Sequence, residues 1–301
     1  ISPACREATR VREPLALSAQ APYRPPRMHF ERVAALHPHF DPELRLLTLT
    51  LDHGKANEVG TAILDAFEAL CELLEEGEVA CLCTTSRRLS KSLAPIFIAG
   101  ADVTERVGWS DDRVKAHVRR QRSLLRRLRH VPVFTVALSH GITLGWGLEF
   151  LLTADYCLAT PTARFGLPET GLGILPGARG TAELALVVGQ AHALRLGCTG
   201  EEIEADEAHR IGLVQELVPD VDAGLARARR FAELLRRRSP TAVAAYKRGL
   251  LAAVGQPESE RLHIEAAAYE RCIDTGEAAI GRASFSAIRA GETPPWGPRR
   301  A

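Results

Sequence analysis

A chain of 301 residues, 46% hydrophobic and 25% charged with a formal net charge of +1, has the composition of a globular protein with a large core. That balance supplies no global field for nucleic acid or a membrane surface, and no apolar run approaches the ~20 residues needed to cross a bilayer. Seven scattered cysteines, none in a Cys-x-x-Cys pair, point to free buried thiols in a reducing, cytoplasmic setting rather than to a disulfide framework.

The first segment, "ISPACREATRVREPLALSAQAPYRPPR", lacks periodicity, is rich in Pro and Arg, and precedes Met28, the only methionine. Residues 1–28 are expected to be a disordered extension, or upstream sequence ahead of a start at Met28. Glu7 and Glu13 argue against a targeting peptide, because transit peptides are poor in acids. "ELRLLTLTL" (43–51) alternates and reads as a strand, and "TAILDAFEALCELLEEG" (61–77) as a helix with its glycine stop. "EVACLCTTS" is a buried strand with Cys81 and Cys83 on one face, and "APIFIAGAD" (94–102) is another that ends at glycine. "SDDRVKAHVRRQRSLLRRLRH" (110–130) is an amphipathic helix, acidic at its start and basic at its end, as the helix dipole favours.

"VPVFTVALSHG" (131–141) reads as a buried strand, "GITLGWGLEFLLTAD" (141–155) as a loop turning into a helix, and "DYCLATPTARFGLPE" as two short strands. Strand–helix–strand repetition predicts an α/β fold with a mostly parallel sheet. From about residue 180 the segments "TAELALVVGQAHALRLG", "DAGLARARRFAELLRRR", "TAVAAYKRGLLAAVG", "ERLHIEAAAYERCI" and "AAIGRASFSAIRAG" are helical by period. Only "GLVQELVP" (212–219) reads as a strand there, and the Pro-rich tail "ETPPWGPRRA" as coil. The expected organisation is an α/β core over 29–220 and a helical region over 221–301.

Three glycine-containing elements stand out: "FIAGADV" (97–103), "GITLGWGLE" (141–149) and "LPETGLGILPGARGT" (167–181). Where a strand stops and a helix begins, backbone N–H groups lack partners, and two brought together can hold a developing oxyanion. Glu149 sits inside an apolar run, where a carboxylate without partners is costly. Glu169 lies on a glycine-rich loop. A structurally paired acid accounts for Glu149 alone; the combination of the three elements is far more specific than any one of them.

This series resembles the enoyl-CoA hydratase/isomerase (crotonase) superfamily. The likeness extends to "LDHGKANEVGTAILDAFEAL" (51–70), "GCTGEEIEADEAHRIGLVQELVP" (197–219) and the closing helices, covering about residues 40–297. It implies a spiral of ββα units with a C-terminal helical region that packs homotrimers or dimers of trimers. The ligand it implies is an acyl-CoA thioester, with coenzyme A as part of the substrate, no tightly bound cofactor and no metal. By resemblance the backbone N–H groups of Ala101 and Trp146 form the oxyanion hole, Glu149 acts on water, and Glu169 protonates Cα. Substrate contacts are implied for Lys55 and Ala56, for Ala99, Gly100 and Asp102, and for Gly145 and Gly177. Retention of both glutamates points to hydration of a 2-enoyl-CoA. Isomerase, decarboxylase and thioester hydrolase chemistry, or a non-catalytic acyl-CoA- or RNA-binding role, are the alternatives.

The sequence also departs from the pattern. The family usually has glycine where Trp146 stands, so the indole either narrows the acyl pocket or fills space behind the helix. The stretch "TTSRRLSKSLAPIF" (84–97) is longer than usual, and its Arg87, Arg88 and Lys91 read as a solvated basic loop. The arginines from Arg119 to Arg129 and at 236–238 lack interleaved aromatics and are balanced by acids, which favours solvated faces over nucleic acid. Asp155 is expected to be structural and His140 a surface group at a strand end. The ten histidines show no metal-ligand spacing.

Overall fold

The computed structural model describes residues 29–300, so the expectations for residues 1–28 lie outside the described part. Among the described residues, eleven strands form two sheets. The first contains β1 (Pro38–Asp41), β2 (Leu46–Leu51), β3 (Cys81–Ser86), β6 (Phe134–Ser139), β8 (Tyr156–Ala159) and β11 (Glu216–Leu217), in that spatial order. All neighbours are parallel except the β1–β2 hairpin. In the second the order is β10 (Ile203–Glu204), β9 (Arg164–Gly166), β7 (Ile142–Leu144), β5 (Pro95–Ile98) and β4 (Arg88–Leu89). Its central three strands are parallel and its edges antiparallel. The chain alternates between the sheets, and each of the pairs β3/β5, β6/β7 and β8/β9 is followed by helix: α2 (Asp111–His130), α3 (Trp146–Leu151) and α4 (Gly180–Val188). This is the expected spiral of ββα units.

Every residue of β3 is buried, because its two faces meet different cores. Cys81 and Cys83 face one cluster with Leu46, Val136, Leu138 and Leu158, while Leu82 faces the main core with Leu47, Leu49 and Leu51. That is the two-residue period of a strand covered on both sides. The first cluster is closed by α7 (Val221–Arg236), whose Gly224 lies so close to β6 that an added Cβ would stand 2.5 Å from Leu138. Burial pushes the Cys71, Cys83 and Cys157 thiols up to about 12, so these are inert core groups.

α1 (Thr61–Glu76) packs on α2 through Arg120 with Glu68 and Asp65, and through Arg127 with Glu75. The basic face of α2 is therefore tied to acids over part of its length rather than simply solvated. Several local readings are corrected by the structure. The segment after residue 141 opens with a strand, β7, before α3; its three residues were too short to show a period. "TAELALVVGQAHALRLG" is two helices, α4 and α5 (Gln190–Thr199), broken at Gly189 with φ 80°. β10 adds a second strand beyond residue 180, ahead of α6 (Ala205–Arg210). "TTSRRLSKSLAPIF" forms the β4–β5 hairpin, and Arg87 and Arg88 both engage Asp52.

The remaining helices are α8 (Pro240–Ala253), α9 (Glu258–Asp274), α10 (Glu277–Ala283) and α11 (Phe285–Arg289). α8 is anchored to the sheet by charge. Lys247, 8% exposed, donates from Nζ to the Val133 carbonyl at 2.8 Å and to Asp155 at 2.6 Å. Asp155 also accepts from the Thr135 backbone N–H and hydroxyl, which makes it structural as expected. The coil tail is docked: the Arg299 guanidinium donates to the carbonyls of Leu74, Glu75 and Gly77, closing the end of α1. Removing one partner of a buried pair strands the other, so Lys247→Met should lower unfolding free energy by about 3 kcal/mol in urea titrations. A loss near zero would show that α8 holds without the pair.

Candidate active site

The central strands of the second sheet, β5, β7 and β9, run side by side and end at the same edge. Each leads into one of the three glycine elements: Ala99–Ala101 after β5, Gly145 and α3 after β7, and Glu169 in a 3-10 turn (Pro168–Leu172) after β9. Together with the face of α2 that carries Val114, Val118 and Gln121, they enclose a cavity of about 890 Å³. Ala99, Gly100, Ala101, Gly145, Trp146, Glu149, Glu169 and Gly177 all line it.

Gly145 has φ 52° and ψ −120°, a backbone that side chains rarely adopt, and an added Cβ would stand 2.9 Å from Glu169 Oε1. Its carbonyl accepts from the Glu149 N–H at 3.0 Å and its N–H donates to Gly166, so one residue joins β9, α3 and the loop glutamate. Gly147 lets α3 press on β5, where a Cβ would meet the Ile98 carbonyl oxygen at 2.2 Å. Among the described residues, neither the Ala101 N–H nor the Trp146 N–H has a protein acceptor, while the flanking Asp102 N–H is bonded to Val59. Trp146 opens α3, where the first N–H groups have no intrahelical partner.

The Trp146 indole, 2% exposed, stacks on Phe150 at 5.7 Å and lies 5.8 Å from Phe67. The ring thus fills the core behind α3, the second of the two positions open to it from sequence, and its Nε1 has no acceptor.

Glu149 is 3% exposed, and its Oε1 accepts from the backbone N–H groups of Ala178 and Gly180, each at 2.7 Å. Its pKa stands at about 7: burial is the largest cause and nearby Glu169 adds to the rise, while the two amides and, more weakly, Arg122 oppose it. Burial also raises Glu169, whose Oε2 is buried without a hydrogen-bond partner. Both acids are thus held above the usual carboxylate range, as groups that exchange protons need to be.

Lys55, Ala56 and Asp102 are not in the cavity wall. Lys55 is exposed, and its turn lies beside the site through the Ala99 N–H, which donates to the Ala56 carbonyl. Asp102 is occupied with Thr104. His140 is corrected: it is buried rather than a surface group, and it does not line the cavity. Arg106, Gln121 and Arg122 do line it, although sequence reasoning did not single them out. The available signal was Gln121, a polar residue on the buried stripe of α2 between His117 and Leu124. Among the described residues, no three His, Cys, Asp or Glu cluster as metal ligands, and no helix is long and apolar enough to cross a membrane.

The sequence model of the enoyl-CoA hydratase/isomerase family matches residues 89–293. The chain belongs to this family, the crotonase superfamily. It is 34% identical over 233 residues to human enoyl-CoA hydratase domain-containing protein 2, mitochondrial, covering 76% of this chain and 78% of that one. It is 36% identical over 197 residues to the putative enoyl-CoA hydratase/isomerase YngF of Bacillus subtilis, covering 64% and 74% respectively. The crystal structure of an enoyl-CoA hydratase from Bacillus anthracis superposes with a TM-score of 0.73 at 28% identity, covering 86% of this chain and 95% of that chain. Pseudomonas aeruginosa AtuE superposes with a TM-score of 0.75 at 27% identity, covering 86% and 98%.

The titration of Glu149 has a measurable consequence. The unfolded chain releases this proton near 4.5 and the folded chain near 7, so between these values the folded state holds the extra proton and loses stability as pH rises. Glu149→Gln, which keeps an acceptor for the two amides, removes this dependence. Its stability relative to wild type should grow by about 3 kcal/mol between pH 4.5 and 7.5 in urea titrations. A difference that stays flat with pH would contradict the burial argument.

Proposed function

We propose that the protein is an enoyl-CoA hydratase that adds water to a 2-enoyl-CoA to give a 3-hydroxyacyl-CoA. The observation that carries this reading is a single cavity lined by two carboxylates of raised pKa and by two residues whose backbone N–H groups lack acceptors. The thioester carbonyl oxygen would accept from Ala101 and Trp146, donors that strengthen as negative charge gathers on it. Glu149 Oε1 is held by Ala178 and Gly180, and among the described residues no group donates to Oε2, so Oε2 is the oxygen we assign to water. That oxygen takes a proton from water as the new C–O bond forms at Cβ. The double-bond pair shifts to the bond between Cα and the carbonyl carbon while the carbonyl pair moves onto the thioester oxygen, and as the carbonyl re-forms Glu169 delivers a proton to Cα.

The coenzyme A part would run past the exposed turn of Lys55 and Ala56 and the edge formed by Ala99, Gly100 and Asp102. Exposed Tyr246, Leu250, Leu262 and Tyr269 on α8 and α9 line an apolar groove, which supports a homotrimer or a dimer of trimers. The buried free thiols support a reducing compartment, and we place the protein in the cytoplasm.

Purified protein should bleach the conjugated-thioester absorbance of crotonyl-CoA or a longer homologue, with a product heavier by one water. Glu149→Gln and Glu169→Gln should each lower kcat by about 10²- to 10⁴-fold. The acid limb of the kcat/KM profile should fall as Glu149 takes up its proton near pH 7. An unchanged product mass would indicate isomerisation, a loss of CO₂ would indicate decarboxylation, and free CoA would indicate hydrolysis. Binding without turnover would indicate a non-catalytic member.

A further inference from the structure

The cavity wall formed by α2 and by the 3-10 turn Thr104–Arg106 carries polar groups that the hydration chemistry does not use. Arg106 is half-buried there, and no carboxylate lies within ion-pair distance of it among the described residues. Its Nη2 reaches the Gln121 Oε1 only at 3.5 Å, and its buried Nε has no acceptor. Glu105 and Asp102 favour its charge from beyond ion-pair distance, and each makes its hydrogen bonds elsewhere, with Glu105 Oε1 left without a hydrogen-bond partner. Glu105 accepts through Oε2 from the Thr61 N–H and hydroxyl, each at 3.0 Å, with His117 Nε2 3.4 Å from its other oxygen. Asp102 accepts from the Thr104 N–H at 2.9 Å and from its hydroxyl.

Gln121 is 3% exposed, and with Oε1 turned to Arg106 its Nε2 has no acceptor. A buried donor without an acceptor is costly, and a desolvated guanidinium without an anion more so. The same cavity is also lined by the apolar Val103, Val114, Val118, Leu172 and Ile174. The exposed cations of the same wall, Lys115, Arg119 and Arg122, are distinct from this pair.

We propose that Arg106 and Gln121 receive a carboxylate carried by the acyl chain, so that the preferred thioester is one half of a dicarboxylic acid. A carboxylate accepts two parallel N–H bonds from a guanidinium and leaves a lone pair for the glutamine amide, which satisfies the unpartnered donors together. The apolar residues then pack the methylenes between this end and the thioester. The inference rests on the acyl-CoA reading above, and an anionic oxygen on coenzyme A itself is the competing source for the same chemistry.

Binding of unreactive saturated thioesters separates these cases without relying on turnover. Glutaryl-CoA and pentanoyl-CoA have equal chain length and the same phosphates, and are titrated calorimetrically against the full chain. Glutaryl-CoA should bind about tenfold or more tighter. Arg106→Leu should bring the two affinities within about twofold, and Gln121→Leu and Arg106→Lys should each reduce the preference in part. Equal affinities in the wild-type protein would overturn the proposal. So would an equal weakening of both thioesters by Arg106→Leu, which assigns the cation to the coenzyme A phosphates. Failure of both thioesters to bind would instead overturn the acyl-CoA reading beneath it.

Discussion

The carboxylate of Glu149 is almost wholly withdrawn from water, and what keeps it usable is a clamp of two backbone amides on one of its oxygens. Those amides, from Ala178 and Gly180, belong to peptide units separated by a single residue. Aiming both N–H groups inward sends that residue, Arg179, to φ 103°, a conformation sparsely populated for anything but glycine. The Arg179–Glu183 ion pair at 2.5 Å pins the strained turn to the first turn of α4. Gly180 itself has no room for a side chain, since a Cβ would meet Pro176 at 2.6 Å and Glu149 at 3.1 Å. The loop is therefore shaped around the carboxylate, and the same loop carries Leu172, Ile174 and Leu175 into the cavity wall.

Parallel strands supply the other half of the constraint. Because β5, β7 and β9 are neighbours running the same way, their C-terminal ends deliver the three glycine elements to one edge without any long excursion of the chain. Glycines at the junctions remove the Cβ atoms that would hold these elements apart: Gly145 against Glu169, and Gly147 against β5. The Lys247–Asp155 pair anchors α8 at the start of β8, the strand that follows α3, and Asp155 ties that point to Thr135 of β6.

Residue types at fixed local offsets are legible in the sequence itself. The alternation of β2 and β3, the amphipathic stripes of α1, α2 and α7, and the order of the three glycine elements are properties of neighbours along the chain, and a strand or helix period displays them. The short strands β1, β4, β7 and β10 were not legible: unlike the equally short β5, β8 and β11, they lie in no longer apolar run, and the partner across the sheet defines them. The break at Gly189 was missed for a related reason: helical spacing continues across it, and only packing of α4 and α5 reveals the turn.

The candidate site divides along the same line. Glu149, Glu169 and the glycines declared themselves as motifs, and their family was recognisable from order alone. Which oxygen of Glu149 is held, the resting place of the Trp146 ring among Phe67 and Phe150, and the pairing of Asp52 with Arg87 and Arg88 were decided only in three dimensions. Arg106 and Gln121, 15 residues apart in sequence, become one feature of one cavity wall for the same reason. Local pattern encodes what each segment can be; burial and the satisfaction of charge depend on which distant segments close over it.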